Sequence, residues 1–164
     1  MHQPDPTEER NKKFAQWSMI GAALLAITLV AVPAMKMRRN NRGQLIEIGQ
    51  TVYQANCQSC HGIKAVGQDP KKPRGGRQSA GVYLAPALDE RGSASFRSNR
   101  ELFEIVKNGS LDPKSPMKGM GQKLDDEKIA AVLVYIQSLW TARTIQLHQE
   151  NSPNVPIEST GVGY

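Results

Sequence analysis

Apolar residues along this chain fall into four blocks, set apart by stretches with no period. The first block is continuous. Phe14 to Met35 contains no Asp, Glu, Lys or Arg over its 22 residues. As a helix it would reach roughly 33 Å, enough to cross the hydrocarbon core of a bilayer. Trp17 suits an interfacial position near one end, and Pro33 marks a kink or stop near the other. A cleaved signal peptide is the rival reading, with Lys12 and Lys13 ahead of the apolar run and small residues flanking Pro33. The uncleaved anchor is preferred, because the run is long and the leading tail is acidic as well as basic. Residues 1–13, with Pro4 and Pro6, read as an irregular extramembrane tail.

The other three blocks are periodic. Leu45, Ile48, Gly49, Val52 and Tyr53 line one face of a helix predicted over Gln44–Asn56, with Gly43 as a flexible lead-in. Glycine weakens a helix interior, so Gly49 predicts close backbone approach by another element. Leu102, Phe103, Ile105 and Val106 define a helix over Arg100–Asn108, with Asn99 as its cap and Gly109 at its end. Ile129, Val132, Leu133, Ile136 and Leu139 or Trp140 recur at three and four in a helix from Asp126 to about Arg143. Asp125 caps that helix, and Asp126 and Glu127 favour its N-terminal end. Beyond Arg143 the pattern fades into an extended tail. Ile63–Asn99 is rich in Gly, Pro and Ser, and Ala85–Leu88 is a short apolar break within it. Ser110–Gln122 is a second loop, holding Met117 and Met120.

Composition changes this picture in two ways. Aromatic residues make up only 5% of 164 positions, so the core is thin for the length. The formal charge of +6 is concentrated before residue 43; from Gly43 onward 14 Lys and Arg face 12 Asp and Glu. Lys36, Arg38, Arg39 and Arg42 follow the apolar run, either as a stop-transfer flank or as a contact for anionic lipid or a partner. Lys64, Lys71, Lys72, Arg74 and Arg77 make the first loop basic, either as a solvated insertion or as a rim that steers an acidic redox partner.

The chemistry lies in Cys57-Gln58-Ser59-Cys60-His61. C-x-x-C-H is an attachment sequence for c-type haem. Two thiols three positions apart can add to the vinyl groups of one porphyrin, and the adjacent imidazole then lies over the iron as its proximal ligand. A dithiol switch would want a βαβ pattern around the pair, and none is visible. Zinc would need a second ligand pair, whereas the remaining histidines, His2 and His148, are distant and unpaired in sequence. A porphyrin would also supply apolar volume that the side chains lack. Met117 and Met120 are both candidate sixth ligands.

From about Gly43 to Trp140 the chain resembles a class I monohaem cytochrome c. Gly49–Tyr53 before Cys57–Gly62 resembles that family's first helix and haem motif. Ala85-Pro86-Ala87-Leu88 resembles the segment whose proline carbonyl accepts a hydrogen bond from the proximal histidine. Met117 to Ile129 resembles the methionine loop that leads into the last helix. The resemblance implies an all-α cytochrome c fold wrapped around one covalent haem c, here preceded by a single transmembrane helix. It implies Cys57 and Cys60 as attachment points, His61 and Met117 as iron ligands, and Pro86 as the acceptor. Lys118 and Met120 depart from the family's proline and aromatic, and Met120 is then a packing residue against the ring. The first and last helices are expected to cross near Gly49 and Val132.

These readings divide the chain into a tail (1–13), a transmembrane helix (14–35), a basic linker (36–43), a cytochrome c domain (44–142) and an extended tail (143–164). Iron closed on both faces by protein argues for electron transfer, not for an enzyme by itself. The expected role is a membrane-anchored electron carrier, a subunit of a respiratory or photosynthetic complex of the alternative complex III or haem–copper oxidase type. The alternative is a haem peroxidase or gas sensor with an open sixth site. The expected partners are integral-membrane redox subunits, a redox partner protein and the lipid bilayer, with no nucleic acid. The positive-inside rule leans toward a cytoplasmic C-terminal side. Haem attachment in the family implies the opposite: a single-pass protein with its haem domain extracytoplasmic, on the periplasmic side of a bacterial inner membrane.

Overall fold

A computed structural model describes residues 6–79 and 81–151 of the chain. It divides into two units, Met1–Asn41 and Arg42–Tyr164. The first helix, α1 (Pro6–Asn56), runs through both. The expected irregular tail is thus helical from Pro6, the basic linker is helical throughout, and Gly43 is no flexible lead-in. Nor does the helix stop at Pro33. One proline removes one ladder bond, at a cost of about 3 kcal/mol, and a helix this long absorbs that. Among the described residues no helix is long and apolar enough to cross a membrane. Within the predicted span, the side chains at 14, 15, 23, 24, 28–30 and 32–35 lie outside the described residues.

The second unit is built around α1's last turns, α2 (Gln58–His61), α3 (Asn99–Asn108), α4 (Asp126–Ser138) and α5 (Ala142–Asn151). The loop between α2 and α3 adds a two-residue antiparallel pair, β1 (Gly76–Arg77) with β2 (Tyr83–Leu84), so the unit is mostly rather than wholly helical. Val52, Tyr53, Leu102, Phe103 and all of α4 from Ile129 to Ile136 are buried. Each large aliphatic side chain buried there contributes about 1.5–3 kcal/mol. The Tyr53 and Tyr135 rings meet at 5.3 Å, tilted by 49°. Gly49 explains the approach of α1 to α4. A Cβ there would collide with the Ala131 carbonyl and come within 2.8 Å of the Tyr135 Cβ.

Helix ends follow local chemistry. Ser98, not Asn99, caps α3: its hydroxyl accepts from the Glu101 N–H, and the Glu101 carboxylate accepts from the Ser98 N–H, a reciprocal box. Asp125 caps α4 by accepting from the Lys128 N–H at 2.8 Å. The last helix expected to Arg143 stops at Ser138, and α5 begins at Ala142 after a break. Thr141 starts α5 by accepting from the Thr144 N–H, and its carbonyl accepts from the Ile145 N–H. The chain after Arg143 is therefore helical to Asn151 rather than extended, because partly buried Ile145 and buried His148 give α5 an inner face. The tail expected beyond Asn151 lies outside the described residues.

Candidate functional site

Cys57 follows α1 directly, and one turn of helix carries Cys60 and His61. The His61 N–H donates to the Cys57 carbonyl at 2.9 Å, which closes that turn. Both thiols are free, Cys57 half-buried and Cys60 exposed. Burial, followed by the neighbouring Cys60, pushes the Cys57 thiol up to about 11. His61 is 7% exposed. Burial lowers its proton affinity, and the Pro86 carbonyl opposes that shift. Its Nδ1 lies 2.8 Å from the Pro86 carbonyl oxygen. A carbonyl only accepts, so Nδ1 carries the proton and Nε2 keeps a lone pair. Nε2 takes no partner from the described residues.

The loop from Ile63 to Ser98 exists to hold the Pro86 segment. Lys64 and Ala65 adopt positive φ (54° and 63°). The Ala65 carbonyl accepts the Leu88 N–H at 2.8 Å. The Ala87 N–H donates to the Pro73 carbonyl, and the Ala85 N–H to the Gln68 Oε1. Gly92 passes so close to the Ala87 carbonyl that no side chain fits. Tyr53 adds a tether from the other side, its hydroxyl donating to the Gly62 carbonyl at 2.7 Å. Burial drives the proton affinity of that hydroxyl far up, so it stays a donor.

The methionine loop is pinned at its two ends. Gly109 and Lys118 form an antiparallel bridge, and the Ser110 N–H donates to the Met117 carbonyl. The Met120 and Gly121 N–H groups donate to the Val106 and Lys107 carbonyls. Met117 is half-buried; Met120 packs against the hydrophobic core. The two methionines are thus differently employed. Lys107 clamps the loop's exit through Asp126, at 2.7 and 2.9 Å.

Two residues near the Pro86 segment have roles that the hydrophobic pattern does not show. The Trp140 Nε1–H donates to the Leu88 carbonyl at 2.8 Å, and the His148 ring meets the indole edge-on at 4.9 Å. A tryptophan at a helix end reads as packing, and a lone histidine carries no period. The one signal that could have found His148 is its spacing of three from Ile145, which was not read as a helical face. Among the described residues no three metal-ligating side chains form a cluster by themselves.

The family model described as cytochrome C oxidase, cbb3-type, subunit III matches residues 44–136, more than half of the chain. Neither the curated proteins nor the solved structures give a match.

Proposed function

Because the chain belongs to the family of the cbb3-type cytochrome c oxidase subunit III, and so carries a cytochrome c domain, we propose that it relays single electrons through one covalent haem c. The observation that carries this reading is His61: buried, oriented through Nδ1 by the Pro86 carbonyl, and left with a free Nε2 lone pair beside two free thiols. That donor set fits the group. Cys57 and Cys60 would hold the porphyrin by thioether bonds, and His61 Nε2 would ligate iron. Pro86 fixes the tautomer and raises the basicity of the ligand. When bound, haem c supplies a ferric/ferrous couple.

Met117 is the second iron ligand in this reading. Both methionines are half-buried, but Met120 is packed against the core whereas Met117 is not, which supports Met117. A thioether raises the potential relative to a second imidazole. His61 and Met117 would hold the iron between two side chains and leave a small substrate no place on it, which favours electron relay over peroxidase or gas-sensing chemistry.

Phe14–Met35 serves as an uncleaved single-pass anchor. Exposed Trp17, Met19, Ile20, Leu25 and Ile27 support this, since a helix with apolar side chains exposed to this degree needs an apolar surround. The haem domain (44–142) stands on the extracytoplasmic side, in a bacterium the periplasmic side. The anchor confines it near membrane partners and raises its effective concentration there. The partners are subunits of a membrane oxidase complex, and the family favours the haem–copper type over alternative complex III. The basic loop holding Lys64, Lys71, Lys72, Arg74 and Arg77, all exposed residues, steers an acidic redox partner.

A reduced-minus-oxidised spectrum of the membrane fraction, with a covalent-haem stain after denaturation, tests the reading. A stained band at the mass of this chain and a spectrum of sulfur-ligated low-spin iron are expected. A colourless chain, or iron that binds carbon monoxide freely at rest, overturns it.

A further inference from the structure

The Pro86 carbonyl belongs to the first of three successive peptide units, and each of them is held by hydrogen bonds. The Pro86–Ala87 unit donates its N–H to the Pro73 carbonyl at 2.8 Å. The Ala87–Leu88 unit donates to the Ala65 carbonyl at 2.8 Å. Both acceptors belong to the same loop, so these bonds brace the loop only against itself. The third unit is held from both sides: its Asp89 N–H donates to the same Ala65 carbonyl at 3.3 Å, and its Leu88 carbonyl accepts the Trp140 indole N–H from outside the loop at 2.8 Å. Trp140 is itself immobilised. It is 5% exposed and meets the edge of His148 at 4.9 Å. His148 is 4% exposed, with Nδ1 donating to the Ser95 carbonyl at 3.0 Å and Nε2 2.7 Å from the Asn99 Oδ1. Burial and these contacts at both ring nitrogens hold the His148 ring in place against the indole.

We propose that Trp140, locked by His148, is a positioning residue for the proximal histidine: by fixing Leu88 it holds the Pro86 carbonyl at hydrogen-bond distance from His61. The proposal rests on the reading of His61 as an iron ligand. The physical link is the strength of the Nδ1–H bond. A close, aligned acceptor gives the imidazole more anionic character, which stabilises ferric iron and lowers the potential. Releasing Leu88 lets the carbonyl drift, weakens that bond and raises the potential.

The test uses the full haem-loaded chain in detergent, with two readouts: the midpoint potential, and the exchange rate of the His61 Nδ1 proton in the ferrous state. Trp140→Phe keeps the ring and removes the donor. It is expected to raise the potential and speed the exchange. His148→Leu is expected to move both in the same direction by less. Ile129→Val, a core change on α4 away from this chain of contacts, is expected to lower stability and move neither. If Trp140→Phe costs stability as Ile129→Val does while both readouts stay put, the proposal is overturned. Should Trp140→Phe fail to load haem, His148→Leu decides, and unmoved readouts overturn the proposal. A wild-type chain without covalent haem overturns the electron-relay reading as well; a loaded wild type with silent variants overturns this inference alone.

Discussion

His61 Nδ1 and the Pro86 carbonyl oxygen, 25 positions apart in sequence, lie 2.8 Å from each other. Pro86 has no N–H and so donates no backbone bond, and its carbonyl oxygen takes the proton of the His61 Nδ1. The imidazole is thereby fixed in one tautomer, with Nε2 as its donor atom. His61→Ala is expected to abolish loading of properly ligated haem, and His61→Gln to do the same. Covalent-haem staining of the two variants beside the wild type checks this.

Met117 and Met120 offer a second comparison. Met117→Ala is expected to open the iron to carbon monoxide and to lower the midpoint potential. Met120→Leu, a nearly isosteric change in a packing residue, is expected to cost less than about 1.5 kcal/mol and leave the spectrum alone. Optical titration with carbon monoxide separates the two residues, and a silent Met117→Ala would transfer the ligand to Met120.

Gly49 predicts a large stability effect with no chemistry. Any side chain there meets the Ala131 carbonyl, a backbone atom of a buried helix that cannot step aside. Gly49→Ala gains helix propensity of about 1 kcal/mol yet is expected to lose more than that, about 1–3 kcal/mol net or outright misfolding. Chemical denaturation followed by far-ultraviolet circular dichroism measures it.

Two exposed carboxylates set the acid limb of stability. Glu101 is held below its ordinary 4.5 by its hydrogen bonds to Ser98, and Asp125 below its ordinary 3.8 by those to Lys128. Lowered values mean that the folded state binds protons less readily than the unfolded chain. Their contribution is thus fully present above the ordinary values and is lost as pH falls through the lowered ones. The melting temperature is expected to fall from about pH 4.5 downward, and Glu101→Gln with Asp125→Asn to flatten that fall. Melting curves at stepped pH decide the matter.

Before haem is attached, the two thiols differ. Cys57 is half-buried with its thiol pushed up to about 11, whereas Cys60 is exposed. At pH 8 iodoacetamide is expected to label Cys60 first, because the thiolate is the nucleophile. Mass mapping of partially labelled haem-free protein gives the order.

What could be read from the sequence was whatever repeats or has fixed spacing. The haem motif, the inner faces of α3 and α4, and the contact foretold by Gly49 all belong here. Ser98 was hidden behind Asn99, an equally good capping residue, although Glu101 three positions on completes a box only with Ser98. The break at Leu139–Thr141 and the start of α5 were not legible, because they depend on Trp140 reaching Leu88, 52 positions away. The helical course of residues 6–13 and 36–43, on either side of the helix that was expected, was hidden by proline and charge, which lower propensity without forbidding a helix. Pro86 was accessible only through family likeness, since nothing local tells one loop carbonyl from another.

The bridge between Gly109 and Lys118 makes the methionine loop a lopsided hinge. Downstream of Met117 the chain is tied to α3 through the Met120 and Gly121 N–H groups, whereas the arm from Leu111 to Pro116 is held by bonds within the loop, such as the Ser115 N–H to the Asp112 carbonyl. Exchange of the sulfur for an outside ligand would then be timed by that arm. Stiffening it should lengthen the life of the closed iron without altering the energy of the electron it carries.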